Sequence, residues 1–124
     1  MTAAEPLEHA GPLALVIQPD GTTTAERLPE NPAACLAVLN QTIGGHFEAI
    51  GNGKWCAYTI EDVRDLANPQ PNPAADRLAE LLGWRTHPMG GMVGAVVFLG
   101  HQGVDETDVP EVAIELARRM GLIT

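Results

Sequence analysis

The chain contains no serine, so a serine nucleophile is excluded. Cysteine is nearly as scarce. Cys35 and Cys56 are too few for a disulfide framework, and their apolar neighbours read as the surroundings of buried free thiols. Neither has a local activating signature. No C-x-x-C or H-E-x-x-H spacing occurs, so no metal-ligand motif is present and no metal or other cofactor is expected. No Gly-Lys-Ser/Thr sequence or dinucleotide fingerprint occurs. The longest apolar run, Met92 to Leu99, is far short of the roughly 20 residues of a membrane span. Aromatic residues make up only 4%, which leaves the core to Val, Leu, Ile, Ala and Met. Basic residues are few as well. Seven Lys and Arg against sixteen Asp and Glu give a formal net charge of −9. A protein this acidic is not expected to bind nucleic acid directly, because phosphate contacts need Lys and Arg. Acidity is a solubility device, and it also suits a basic partner.

What is present is enough for one domain of 124 residues, with 45% hydrophobic and 19% charged residues. Residues 1–12, rich in Ala, Glu, Pro and Gly, read as a flexible N-terminal tail without the basic and apolar regions of a signal peptide. Residues 13–124 read as a single domain, and a cytoplasmic location is expected.

Leu13–Ile17 is a short apolar strand. The turn Gln18–Gly21 lets Thr22–Leu28 pair back as a hairpin. Asn31 and Pro32 are a helix cap and first-turn residue. Cys35, Leu36, Leu39 and Ile43 keep helical spacing, and Gly44-Gly45 ends the helix. Two strands follow around Gly51-Asn52-Gly53. Phe47, Ala49, Trp55 and Ala57 alternate with more polar neighbours, as in strands with one wet face. Residues 61–71 read as a helical turn or an acidic loop. A second Asn-Pro cap, Asn72-Pro73, opens a helix with Ala75, Leu78, Ala79 and Leu82 on one face and Gly83 at its end. The tetrapeptide Asn-Pro-Ala-Ala recurs at 31 and 72 as two uses of one good cap. Met92 to Leu99 reads as a buried central strand, with Gly94 inside it marking a bulge or a close backbone contact. The last element is a helix over 109–121. Asp108 and Glu111 form a capping box for it, and Val109, Val112, Ala113, Leu116 and Met120 line its buried face. Hairpins dominate this order. The fold class is therefore α+β: a small, mainly antiparallel sheet with two to four helices packed on one face.

Three groups of residues are candidates for function. The Gly-Gly turns at Gly44-Gly45 and Gly90-Gly91, with His46 and His87, would form a small-ligand or nucleotide site. Their backbone N–H groups would approach an anion, and residues 89–91 are the expected place of binding. His46 with Glu48 or Glu61 would supply acid–base chemistry, with Glu61, Asp62 and Asp65 as further carboxylates. Trp55, Tyr58 and Trp84 would line a pocket or simply pack. His87 and His101 stand at opposite ends of one extended segment and cannot share an ion unless the chain bends sharply.

The segments LALVIQPDGTTTAERL, TIGGHFEAI, YTIED, NPAADRLAELL and MVGAVVFLG, in this order, resemble the domain-of-unknown-function family 3846. The resemblance spans about Leu13 to Gly100. Two features depart from it: EDVRDLA stands where the family often has a Glu-Gly turn, and Val109 to Gly121 reads as an addition. The resemblance implies a small accessory or regulatory protein of bacteria, phages and mobile elements, some of whose genes lie near antirestriction genes. It carries no catalytic residues to this chain. The first functional reading is thus a non-enzymatic protein that binds a host or phage protein. A ligand-binding module is the second, and an enzyme is the third and last. An open sheet edge would also let two copies pair as a homodimer.

Overall fold

A computed structural model describes residues 11–84, 91–103 and 105–124. The segments read as the tail over residues 1–10, and His87 and Gly90, lie outside the described residues. Gly11 and Pro12, assigned above to the tail, belong to the domain. Gly11 N–H donates to Leu28 O, and Leu28 N–H donates to Pro12 O.

The elements are β1 (Leu13–Ile17), β2 (Thr23–Arg27), α1 (Pro32–Ile43), β3 (Phe47–Gly51), β4 (Trp55–Ile60), a 3-10 turn (Val63–Asp65), α2 (Pro73–Leu81), β5 (Val96–Gln102), β6 (Asp105–Thr107) and α3 (Glu111–Arg119). They form the expected α+β fold around one antiparallel sheet, ordered β2-β1-β5-β4-β3, with β6 also paired to β5. β4 takes one side of β5. On the other side β1 pairs with Val96–Phe98 and β6 with Gly100–Gln102, so these two lie end to end. The Asp108 carboxylate joins them: it accepts from Leu13 N–H at 2.8 Å, while Val109 N–H donates to Leu13 O.

The helices occupy both faces of the sheet, not one. Leu15, Ile17, Trp55, Ala57, Val96 and Phe98 pack with Ala75, Leu78 and Ala79 of α2 and Ala113 and Ala117 of α3. Ala14, Val16, Cys56, Ile60, Val97 and Leu99 face the other way, onto Cys35, Leu39 and Ile43 of α1. The reason lies in β1, β4 and β5, which are apolar at consecutive positions. Such strands need cover on both sides, whereas strict alternation marks a strand with one wet face. β4 is accordingly buried along almost its whole length.

Asn72 is the most informative buried polar residue. Its side-chain oxygen caps α2 by accepting from Ala75 N–H. Its Nδ2 donates to Ile17 O and Gly94 O at 2.9 and 2.8 Å. The same residue therefore starts a helix and ties it to the end of β1 and the approach to β5. That approach shortens the expected central strand. Gly94 lies before β5 with φ +77°, and Met92 is bound by Asn72 and Asp76, so regular pairing begins only at Val96.

The end of the chain departs further from expectation. Asp105–Thr107 is a strand. Asp108 makes no cap for α3, because its carboxylate is taken by Leu13 N–H and Arg27. The buried stripe of α3 is Ala113 and Ala117, and Val112 is exposed.

Candidate functional site

The described glycines of the expected turns, Gly44, Gly45 and Gly91, lie against other parts of the chain. Gly44 ends α1 in the left-handed region, φ +98°. Gly44 and Gly45 both donate N–H to Asn40 O, and Asn40 Nδ2 donates back to Gly45 O. A β-carbon at Gly44 would lie 2.8 Å from one δ-carbon of Leu66, and one at Gly94 3.0 Å from the other. The first glycine turn and the approach to β5 thus meet across a leucine side chain. At Gly91 the neighbouring anion is internal: a β-carbon there would overlap the Asp76 carboxylate, which accepts from Met92 N–H at 2.9 Å. The N–H groups that would cradle a phosphate at Gly44, Gly45 and Met92 are therefore engaged within the protein.

His46, Glu48 and Glu61 do come together. His46 O accepts from Glu61 N–H, and Glu48 lies two residues along the same face of β3. All three side chains are exposed, no hydrogen bond joins them, and neither concavity described below includes them. Asp62 bonds Arg64, whose guanidinium holds the Asp62 carboxyl at about 2.

The aromatic candidates divide between the two faces. Trp55 stacks edge-on with Trp84 at 6.4 Å and tilted against Phe98 at 5.9 Å, as packing residues do. Both indole N–H groups are buried without an acceptor among the described residues. Tyr58 lies on the α1 face, edge-on to Phe47 at 5.1 Å, and its hydroxyl donates to the Glu106 carboxylate.

The Tyr58 of this pair lines a concavity of about 220 Å³ bounded by Ala49, Gly51, Cys56, Tyr58 and His101, with Ile50, Gly53 and Trp55 also on its lining. The gap exists because β3 offers only Ala49 and Gly51 beside Tyr58 and Cys56. Burial pushes the Cys56 thiol up to about 11, and burial followed by the Glu106 hydrogen bond raises the Tyr58 phenol well above its ordinary range. Both groups stay protonated near neutrality, so the site lacks an activated nucleophile. Its volume is below the roughly 300–1,000 Å³ of small-molecule pockets and suits a single side chain. A larger concavity, about 470 Å³, lies around Arg27, Glu106 and Asp108, where Arg27 and Asp108 already pair at 2.8 Å.

Glu106 escaped sequence reasoning because β6 reads as the acidic lead of a helix. The available signal was Gly103, φ +65°, between two polar segments short enough for a hairpin.

The second half of the site is the sheet edge. The His46–Glu61 bond sets the alternation of the β3–β4 ladder, so Glu48–Thr59 and Ile50–Ala57 are the inward-bonded pairs. Phe47, Ala49 and Gly51 turn their N–H and C=O groups outward, and no strand covers them among the described residues. By the same reasoning β2 presents Thr23, Ala25 and Arg27 at the opposite edge.

Among the described residues no group of three or more His, Cys, Asp or Glu is placed to hold a metal ion, and no helix is long and apolar enough to cross a membrane. No protein-family model, curated protein or solved structure matches the chain.

Proposed function

We propose that this is a small acidic accessory or regulatory protein that acts by protein–protein interaction, taking an extended segment of its partner as an added strand along β3. The observation that carries this reading is the open β3 edge with a side-chain-sized concavity beside it. In strand addition, main-chain hydrogen bonds supply affinity and pockets for alternate side chains supply specificity. The outward groups of Phe47, Ala49 and Gly51 would supply the first, and the gap beside Ala49 and Gly51 the second. β2 is the weaker candidate: its side chains are small or polar, and Arg27 is already held by Asp108. The resemblance to family 3846 supports a phage or mobile-element setting. Two free thiols support action in the reducing cytoplasm. No catalytic step is part of the proposal.

The test is Ala49→Pro. Proline at 49 removes an outward N–H and leaves the inward ladder bonds intact, a placement that edge strands tolerate. Peptides selected from a random decapeptide display library on the immobilised full chain should protect the Phe47, Ala49 and Gly51 amides from hydrogen exchange. They should bind Ala49→Pro at least about tenfold more weakly, the cost of a lost main-chain bond in a desolvated contact. Peptides that protect other amides, or bind both proteins equally, would overturn the reading.

A further inference from the structure

We infer that the segment taken by β3 is basic, setting a Lys or Arg opposite Glu48 directly beside a large apolar residue opposite Ala49. This rests on the strand-addition reading above. Glu48 stands in the middle of the open edge, on the face away from the concavity, with Glu61 one strand further in on that same face. Every described arginine pairs with an acid other than Glu48 or Glu61: Arg27 with Asp108, Arg64 with Asp62, Arg77 with Glu80, and Arg118 and Arg119 sharing Glu115; Lys54 enters no ion pair among the described residues. None of them reaches Glu48 or Glu61, and both carboxylates are exposed. A cation opposite Glu48 therefore meets a carboxylate without an internal ion pair, and opposite charges across a strand pair are stabilising where like charges are not.

Successive side chains of a strand point to opposite faces. The residue opposite Ala49 turns toward the concavity, and its neighbour opposite Glu48 turns toward the carboxylates. An antiparallel segment would thus carry its basic residue just after the apolar one, and a parallel segment just before it. A second copy of this chain fits the edge poorly. Pairing about Ala49 would set Glu48 opposite Ile50 of the copy and leave its charge unmatched, while two molecules of formal charge −9 repel at long range.

The random decapeptide library, panned separately on the wild-type protein and on Glu48→Lys, tests this. The wild type should enrich Lys or Arg adjacent to a large apolar residue, and those peptides should bind more weakly at 500 mM than at 50 mM salt. Glu48→Gln should weaken them about threefold, and Glu48→Lys about tenfold while selecting Asp or Glu at that place. A consensus without a basic residue that is the same on both proteins, yet still lost on Ala49→Pro, would overturn the basic partner and leave strand addition standing. Retention on Ala49→Pro, with no protection of the β3 amides in the wild-type complex, would overturn both. Dimerisation that is abolished by Ala49→Pro would make the occupant a second copy and overturn the basic partner as well.

Discussion

Two helices cover one face of the sheet and a single helix covers the other, and what each face buries differs accordingly. Under α2 and α3 the sheet contributes most of the bulk, Phe98, Trp55 and Val96, while the helices contribute mainly alanines, Ala75, Ala79, Ala113 and Ala117, with Leu78 as their one large buried residue. Small helix residues allow close approach, and large strand residues fill the space. Under α1 large residues come from both sides. The helix brings Leu39 and Ile43, and the sheet Val16, Ile60, Val97 and Leu99 beside the smaller Ala14 and Cys56. One helix does not reach the whole face, and its uncovered end holds Tyr58 and His101 at the concavity, with Glu106 bonded to Tyr58. The face under α2 and α3 is closed, whereas the half-covered face keeps polar groups and unfilled space beside β3.

Truncations should separate the two faces. Phe98→Ala removes a fully buried ring from the closed face and should cost about 4 kcal/mol. Leu39→Ala beneath α1 should cost about 3 kcal/mol, because a half-covered face can settle around the loss. Urea denaturation of both variants checks this, and equal costs would break the comparison. Asn72→Ala should come next, at about 2–3 kcal/mol, since it removes a helix cap and leaves Ile17 O and Gly94 O without their donor. Tyr58→Phe deletes only the bond to Glu106. It should cost about 1.5 kcal/mol in the same assay, and its effect should fall on the open face, read as faster hydrogen exchange in β6 than in α2.

The smallest effect belongs to the rim, outside both faces. Asp62 titrates at about 2 instead of its ordinary 3.8 because Arg64 bonds it. Since the folded value is depressed, its stabilising contribution is present above about pH 3.8 and is lost as the pH falls through 2. An NMR titration should place the Asp62 carboxyl midpoint near 2 in the wild type and higher in Arg64→Ala, though still below its ordinary value because the backbone N–H of residue 64 goes on donating to Asp62.

Much of this fold was legible in the sequence because local chemistry and tertiary structure agree. Asn31-Pro32 and Asn72-Pro73 cap the helices they announce, and Gly44 ends α1 in the conformation a glycine there implies. The two hairpins follow their turn residues. The misreadings share one cause, competition from distant segments. Asp108 has the right spacing to cap α3, but Leu13 and Arg27, far away in the chain, take its carboxylate. Gly91 has the look of a ligand turn, but its open side receives Asp76. The helix count was readable and the number of covered faces was not, because that depends on where a crossover carries the chain. Of the site, Glu48 stands on the edge strand itself and His46 directly before it, whereas Glu106 became visible only once β6 was placed beside β5.

The sheet order has a consequence for how the protein is made. The β1–β2 and β3–β4 hairpins form from neighbouring residues and share no ladder with each other. β5, which leaves the ribosome after all four, is the strand that joins them. During synthesis the two hairpins therefore wait as separate pieces with apolar faces uncovered, and long-range pairing of this kind is the slow part of folding. A chain stalled before Val96 would present the inner edges of β1 and β4 to whatever else is in the cell. Nascent chains of increasing length should accordingly stay protease-sensitive until β5 has emerged, and then become resistant in one step.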